Sequence, residues 1–211
     1  PAEAMRPGAA LIVMSSIPFE TCQAQAPRMA ARGVGYIDAP VSGGEPGARD
    51  GTLAIMAGGD AALVESLSDV FAAMGRVTRI GPVGTGQMTK LSNQIIVGAT
   101  MAAVAEAMHF ATQGGADPAA WRQALMGGFA DSKILNLHGQ RMVERNFVPG
   151  GPAEYQLKDM RTAQAWAEKN GLTFTLLDCV EDMFSSLIER FGTGHDVSAI
   201  MREVERSAGG E

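Results

Sequence analysis

Strand signals stop at Ile80, and everything after Gly86 reads as helix. Before that point apolar β-type runs alternate with helical stretches. Ala10 to Met14, Tyr36 to Asp38, Leu53 to Met56 and Val77 to Ile80 are the strand candidates. Between them Pro18 to Arg32 reads as a helix ended by Gly33. Asp60 reads as the N-cap of another, with Leu63, Leu67, Val70, Phe71 and Met74 at helical spacing. Such alternation argues an α/β layer with a largely parallel sheet, antiparallel at its edge. After Gly86 one apolar helix is expected from Gln87 to about Thr112. Gly98, Ala99, Ala102, Ala103, Ala105 and Ala107 crowd its middle, so a neighbouring helix can approach closely, which suits the centre of a bundle. Further helices are expected over 117–126, 134–144, 152–169, 176–191 and 197–207, punctuated by glycine pairs. The expected division is therefore an α/β part, 1–82, and an all-helical part, 83–211.

Composition narrows the class. With 211 residues and 46% hydrophobic content the chain can bury a sizeable core. Its net charge of −6 and scattered basic residues give no footprint for nucleic acid. Two cysteines, Cys22 and Cys179, far apart and outside any CxxC, suggest neither a disulfide framework nor a zinc site. His109, His138 and His195 lack ligand spacing, so no metal is expected. The longest apolar run, Ile95 to Ala105, is broken at Thr100, ends at Glu106 and is shorter than the ~20 residues of a membrane span. A soluble cytoplasmic protein with no membrane partner is expected.

The stretch Gly84-Thr85-Gly86-Gln87-Met88-Thr89-Lys90-Leu91-Ser92-Asn93-Gln94 carries the most chemistry. Residues at i, i+3 and i+4 share a helix face, so Lys90, Asn93 and Gln94 can address one pocket. An ammonium beside two carboxamides could protonate a carbonyl oxygen and hold the polar groups around it. Taken alone, Lys90 reads first as a surface lysine on the first turn, since exposed lysines are the rule. Asp38-Ala39-Pro40-Val41-Ser42-Gly43-Gly44 follows a strand directly, and its glycines free consecutive N–H groups to converge on a carboxylate or phosphate. An ordinary Ser-Gly-Gly turn is the other reading. Ser16 ends the first strand, where open α/β sheets bind ligands. Gly84-Thr85-Gly86 is neither a dinucleotide fingerprint, which needs a third glycine, nor a Walker loop, whose lysine follows the last glycine directly.

Four segments in order resemble the β-hydroxyacid dehydrogenase family. They are DAPVSGG (38–44), GTL followed by GGD (51–53 and 58–60), GxGxxxKLxN (84–93) and the pair Lys158-Asp159. The likeness covers nearly the whole chain. Glu45-Pro46, Asn93-Gln94, Gly127-Gly128 and Arg145-Asn146-Phe147 resemble its tartronate semialdehyde reductase branch. The resemblance implies hydride transfer between NAD or NADP and a small carboxylate-bearing semialdehyde or hydroxy acid, with tartronate semialdehyde reduced to glycerate as first choice. A 3-hydroxyisobutyrate dehydrogenase activity is the alternative. The resemblance implies Lys90 as proton donor and Ser42, Gly43 and Gly44 around the substrate carboxylate. It places Asn93 and Gln94 on the substrate, and Ser16, Gly86 and Lys158 on the cofactor. It also implies a homodimer or homotetramer through the helical part.

The chain departs from the family in two places. Pro18 directly follows Ile17, where the family reads Ile-x-Pro. The family's GxGxxG fingerprint and the residue selecting NAD or NADP are expected before Pro1, in roughly 80–90 residues of strand–helix units at ~30 residues each. A catalytically silent helical dimerisation module is the reading from another class.

Overall fold

The computed structural model describes residues 4–209. They form two compact units, residues 4–93 and 94–209.

The first unit is built on a five-stranded mixed sheet. Strand β1 (Ala10–Val13) pairs in parallel with β2 (Gly35–Asp38), and helix α1 (Phe19–Ala30) connects them. β2 then lies antiparallel to β4 (Leu53–Gly59), Ile37 opposite Gly59. After Ala39-Pro40 the chain resumes as β3 (Val41–Ser42), against the same edge of β4 and without a change of register, Val41 opposite Ile55. Proline lacks the N–H a ladder needs, so Pro40 marks the gap while its carbonyl still accepts from Met56 N at 3.0 Å. β5 (Gly75–Gly81) pairs in parallel with β4's other edge. The antiparallel pairing therefore runs through the middle of the sheet, at β2–β3 against β4, rather than at its edge.

Two elements have no counterpart among those expected from the sequence. β3 is one, and α2 (Gly44–Arg49) is the other. The expected helix after Asp60 is two, α3 (Ala61–Ser66) and α4 (Ser68–Ala72), broken at Leu67. Asp60 does cap α3, accepting from Leu63 N at 2.9 Å. Ile37, Leu53, Ile55, Val64 and Phe71 form the core on one side of this sheet. Cys22, Met29, Val34 and Tyr36 form a second cluster under α1.

Helix α5 (Thr85–Gln113) is 29 residues long and runs out of the first unit into the second. By length and composition alone it is long and apolar enough to cross a membrane, which the shorter run Ile95 to Ala105 did not suggest. A core helix passes the same test, and Met101, Ala105 and Met108 are fully buried. The small residues serve the expected close approach. A Cβ at Gly98 would stand 2.8 Å from Gln156 Nε2 and 2.9 Å from Val180. The opposite face is bare: Ile96 is 66% and Phe110 82% exposed.

The second unit continues with α6 (Pro118–Leu125), α7 (Lys133–Val143), α8 (Ala153–Lys169), α9 (Thr175–Phe191), a 3-10 turn (Val197–Ala199) and α10 (Ile200–Ser207). Asp117 and Ser132 cap α6 and α7 through Ala120 N and Leu135 N. Phe184, Leu187, Met160, Leu177 and Ile200 are among its fully buried side chains. Asp196, fully buried, ties the unit's connections together. Its Oδ2 accepts from Gly150 N (2.9 Å) and Gly151 N (3.0 Å), and its Oδ1 from Ser198 N (3.0 Å) and Ser198 Oγ (2.6 Å). His138 Nδ1 and Arg141 Nε lie 3.3 and 3.2 Å from the same Oδ1.

Candidate functional site

The site in the first unit is organised by a residue the sequence reading passed over. Asp38 ends β2 and is fully buried. Its Oδ1 accepts from Gly84 N at 2.6 Å and its Oδ2 from Gln87 N at 2.9 Å. Gly84 immediately precedes α5 and has no side chain to cap it, so Asp38 does the capping from 46 residues away. A carboxylate suits a helix N-terminus, where unpaired N–H groups and the helix dipole concentrate positive potential. Burial raises the Asp38 pKa, and the N–H groups of Gly84, Gln87 and Gly86 hold it back only in part.

This seating explains the glycines. A Cβ at Gly86 would meet Met56 O, with Asp38 O at 2.6 Å and Asp38 Oδ2 at 2.8 Å. One at Gly58 would stand 2.6 Å from Asp38 Oδ1 and 2.8 Å from Gly86 N. The helix start can approach the strand ends only where those side chains are missing. The glycine pair noticed in the sequence thus has a packing reason of its own.

Gln87, three residues after Gly84, makes two further bonds. Its Oε1 accepts from Ile17 N (3.1 Å) and its Nε2 donates to Ser15 O (2.8 Å). It is fully buried. The loop that leaves β1, with Ser16 at its centre, is therefore clasped to the first turn of α5. Both Ser16 and Asp38 lie at or just past the carboxyl ends of the parallel pair β1–β2, where Val13 stands opposite Asp38. That is the end at which open α/β sheets bind ligands.

Lys90 and Asn93 follow on α5, half-buried, and Lys90 shares the Gln87 face by its i+3 spacing. Ser42, Gly43 and Gly44 come from the β3–α2 junction on the same strand line as Asp38. Gly43 (φ 139°) and Gly44 (φ 63°) both lie in the left-handed region that favours glycine, and both are exposed. A Cβ on Gly43 would also press on Leu53 Cδ2 at 3.1 Å.

The remaining candidates lie in the second unit. Gln94 Nε2 donates to Gln156 Oε1 (3.0 Å), while Gln156 Nε2 donates to Gln94 O (2.9 Å), a reciprocal amide pair joining α5 to α8. Lys158 Nζ stands 2.9 Å from the buried Asp159 Oδ1. That distance is an ion pair's, although the contact is not in hydrogen-bonding geometry. Among the described residues no group of three or more His, Cys, Asp and Glu is placed to hold a metal ion.

Comparison with known proteins decides the family. Residues 2–84 match the NAD binding domain of 6-phosphogluconate dehydrogenase, and residues 84–204 match the NAD-binding model of NADP-dependent 3-hydroxyisobutyrate dehydrogenase. The chain belongs to the β-hydroxyacid dehydrogenase family. The two models meet at Gly84, where α5 is seated on Asp38. This family's cofactor is NAD or NADP. Within it the chain is 43% identical over 203 residues to the 2-hydroxy-3-oxopropionate reductase of Escherichia coli (strain K12), covering 95% of this chain and 69% of that one. It is 46% identical over 127 residues to a probable 3-hydroxyisobutyrate dehydrogenase-like protein of Arabidopsis thaliana, covering 60% of this chain and 42% of the relative. The crystal structure of 3-hydroxyisobutyrate dehydrogenase from Salmonella typhimurium superposes with a TM-score of 0.89 at 28% identity, covering 95% of this chain and 71% of that one. The Rossmann-type sheet and the helical domain with its long central helix are those of the family.

Sequence reasoning missed Asp38 and Gln87 as organisers of the site. The only local signal was an aspartate closing a strand and a glutamine placed between a glycine pair and a lysine. Their partners lie 46 to 72 residues away.

Proposed function

We propose that this chain serves the NAD(P)H-dependent reduction of a small carboxylate-bearing semialdehyde, tartronate semialdehyde to glycerate before others, with Lys90 as the proton donor. One observation carries the reading. The helix bearing Lys90 is seated by Asp38 at the carboxyl ends of the parallel strands, beside the loop that holds Ser16. The 43% identity to a protein described as 2-hydroxy-3-oxopropionate reductase supports the substrate. The division of labour we propose is a dinucleotide-binding part, 1–82, and a substrate and dimerisation part, 83–211.

When bound, the dihydronicotinamide supplies a hydride to the aldehyde carbon. Lys90 gives a proton to the oxygen that gains negative charge there and recovers one from water. Ser42 and the backbone N–H groups at Gly43 and Gly44 hold the substrate carboxylate, and Asn93 and Gln94 orient the polar groups next to the reacting carbon. A hydroxyl at Ser16 and an ammonium at Lys158 are donors of the kind a dinucleotide's phosphate and ribose oxygens accept. Gly86 contributes the close approach of backbone that such a cofactor needs. A cytoplasmic homodimer or homotetramer joined through the helical domain completes the reading, and the bare apolar face of α5 supports it.

A 3-hydroxyisobutyrate dehydrogenase activity is the second reading, favoured by the helical domain's family match. Assays with NADH and NADPH against tartronate semialdehyde and methylmalonate semialdehyde separate the two. In the full-length protein Lys90→Ala is expected to lower kcat about 10²-fold or more, the usual weight of a general acid, with cofactor affinity nearly unchanged. Turnover near wild type would remove Lys90 from the chemistry. For the carboxylate site Ser42→Ala is the informative change, since any side chain at Gly43 strains the backbone whatever the substrate.

A further inference from the structure

We propose that Gln87 is a positioning residue that sets the cofactor-side loop against the lysine-bearing helix, and that its side chain governs cofactor binding rather than proton transfer. The inference rests on the function proposed above for Ser16 and Lys90. Gln87 is fully buried, and its bonds to residues outside α5 serve two partners, Asp38 and the loop after β1. Its backbone N–H goes to Asp38 Oδ2 and belongs to the seating of α5. Its side chain goes to the loop, accepting from Ile17 N and donating to Ser15 O. These two bonds bracket Ser16 on both sides. Ile17 also packs against the cluster under α1, and the loop ends in Pro18, which offers no N–H.

Division of the bonds between backbone and side chain makes the two roles separable. Replacing Gln87 by methionine keeps the N–H to Asp38, and with it the seat of the helix that carries Lys90. It removes both the acceptor for Ile17 N and the donor to Ser15 O while filling nearly the same volume. The loop is then released and the helix is not. A residue important only for stability would lower the folded fraction and hence the apparent turnover, without changing how much cofactor half-saturates the folded enzyme.

The test, made in the full-length protein, compares wild type with Gln87→Met, Ser16→Ala, the double variant and Lys90→Ala. Cofactor affinity is read from NADPH and NADH fluorescence titrations, turnover from steady-state kinetics, and loop order from amide hydrogen exchange at Ile17. For Gln87→Met the expected results are faster exchange at Ile17, a cofactor Kd and KM raised about tenfold, and kcat at saturation within about threefold of wild type. Gln87→Met and Ser16→Ala should combine to less than the sum of their effects, because both act through one loop. Gln87→Leu replaces the methionine variant if that one does not fold. Unchanged cofactor affinity with unchanged Ile17 protection overturns the inference, as does a fall in kcat with KM unmoved. Failure of the functional reading looks different: wild type binding neither dinucleotide, or Lys90→Ala retaining full turnover.

Discussion

Each unit of this molecule is organised around one fully buried aspartate, and the two are stabilised in opposite ways. Asp38 in the α/β unit is held by backbone N–H groups at a helix start, and burial wins: its pKa is raised. Burial also pushes Asp196 in the helical unit upward. There the bonds from His138, Ser198 and Gly150 together outweigh it, and the carboxyl ends well below the usual carboxylate range. Arg141 adds a guanidinium within ion-pair distance. Asp38 is held by backbone N–H groups alone, whereas at Asp196 an imidazole and a hydroxyl add their bonds to those of the backbone and together offset more of the desolvation. The α/β unit thus leaves its seating carboxylate poorly compensated beside the candidate site. The helical unit spends its charged side chains on holding connections closed.

The largest expected effect is at Asp196. Asp196→Ala takes the shared carboxylate from the buried Ser198 and from the half-buried His138, Arg141 and Gly151, a loss of about 3–5 kcal/mol. Asp38→Ala removes a cap and orphans two N–H groups, about 1–3 kcal/mol. Chemical denaturation of both variants, followed by circular dichroism so that both units are read, checks the order. Both tryptophans, Trp121 and Trp166, sit in the helical unit, so their fluorescence reports that unit alone. Equal losses would break the comparison.

A second contrast lies in the glycines. Gly86→Ala forces a methyl against Met56 O, Asp38 O and Asp38 Oδ2, an overpacking expected to cost about 2–3 kcal/mol. Gly171, at φ 69° in the helical unit, has nothing within 4 Å of an added Cβ. Gly171→Ala should cost only the left-handed backbone, about 1 kcal/mol. Thermal melts of the two variants sharpen the distinction between close approach and turn.

Acid separates the units by sign. The pKa of Glu203 is lowered from 4.5 to about 2, chiefly by its bonds to Arg206, and Asp196 is lowered in the same direction. A depressed carboxylate gives its full stability above the unfolded value and loses it as pH falls through the folded one, here from about 4.5 toward about 2. Asp38 runs the other way: its raised pKa means that the folded state gains from protonation as pH falls toward 3.8. On acid titration the tryptophan signal should change before exchange protection is lost at Ile37. The reverse order would contradict the assigned roles.

The smallest effect is a labelling pattern. Cys179 is exposed, while Cys22 is buried and its thiol is pushed up to about 11, mainly by burial. A disulfide reagent at pH 8 should modify one thiol in the native protein and two after unfolding. Two fast thiols would mean that the α1 side of the first unit opens readily.

Much of this architecture was legible in the chain. The four strand candidates stand where β1, β2, β4 and β5 stand, and the helices from α5 onward agree within a few residues, because apolar periodicity is local. The segment 41–49 was not legible. Two glycines and a proline conceal both β3 and α2, and only the neighbouring β4 gives Val41–Ser42 a ladder to join. The single helix expected after Asp60 divides at Leu67, where packing against β4 and β5 overrides a continuous apolar stripe.

By itself, the sequence determined the class of layers, the change to helix at Gly86, the long small-residue helix and the residues Lys90, Asn93, Ser42 and Ser16 as chemically capable groups. Tertiary structure alone decided what seats them. Asp38 and Gln87 act on partners 46 to 72 residues distant, and Gln94 finds Gln156 62 residues away. Periodicity records which face of an element is apolar, since that depends on the next turn of the same helix. Which backbone N–H a buried carboxylate will meet depends on two elements arriving at one place, and no local pattern encodes that arrival.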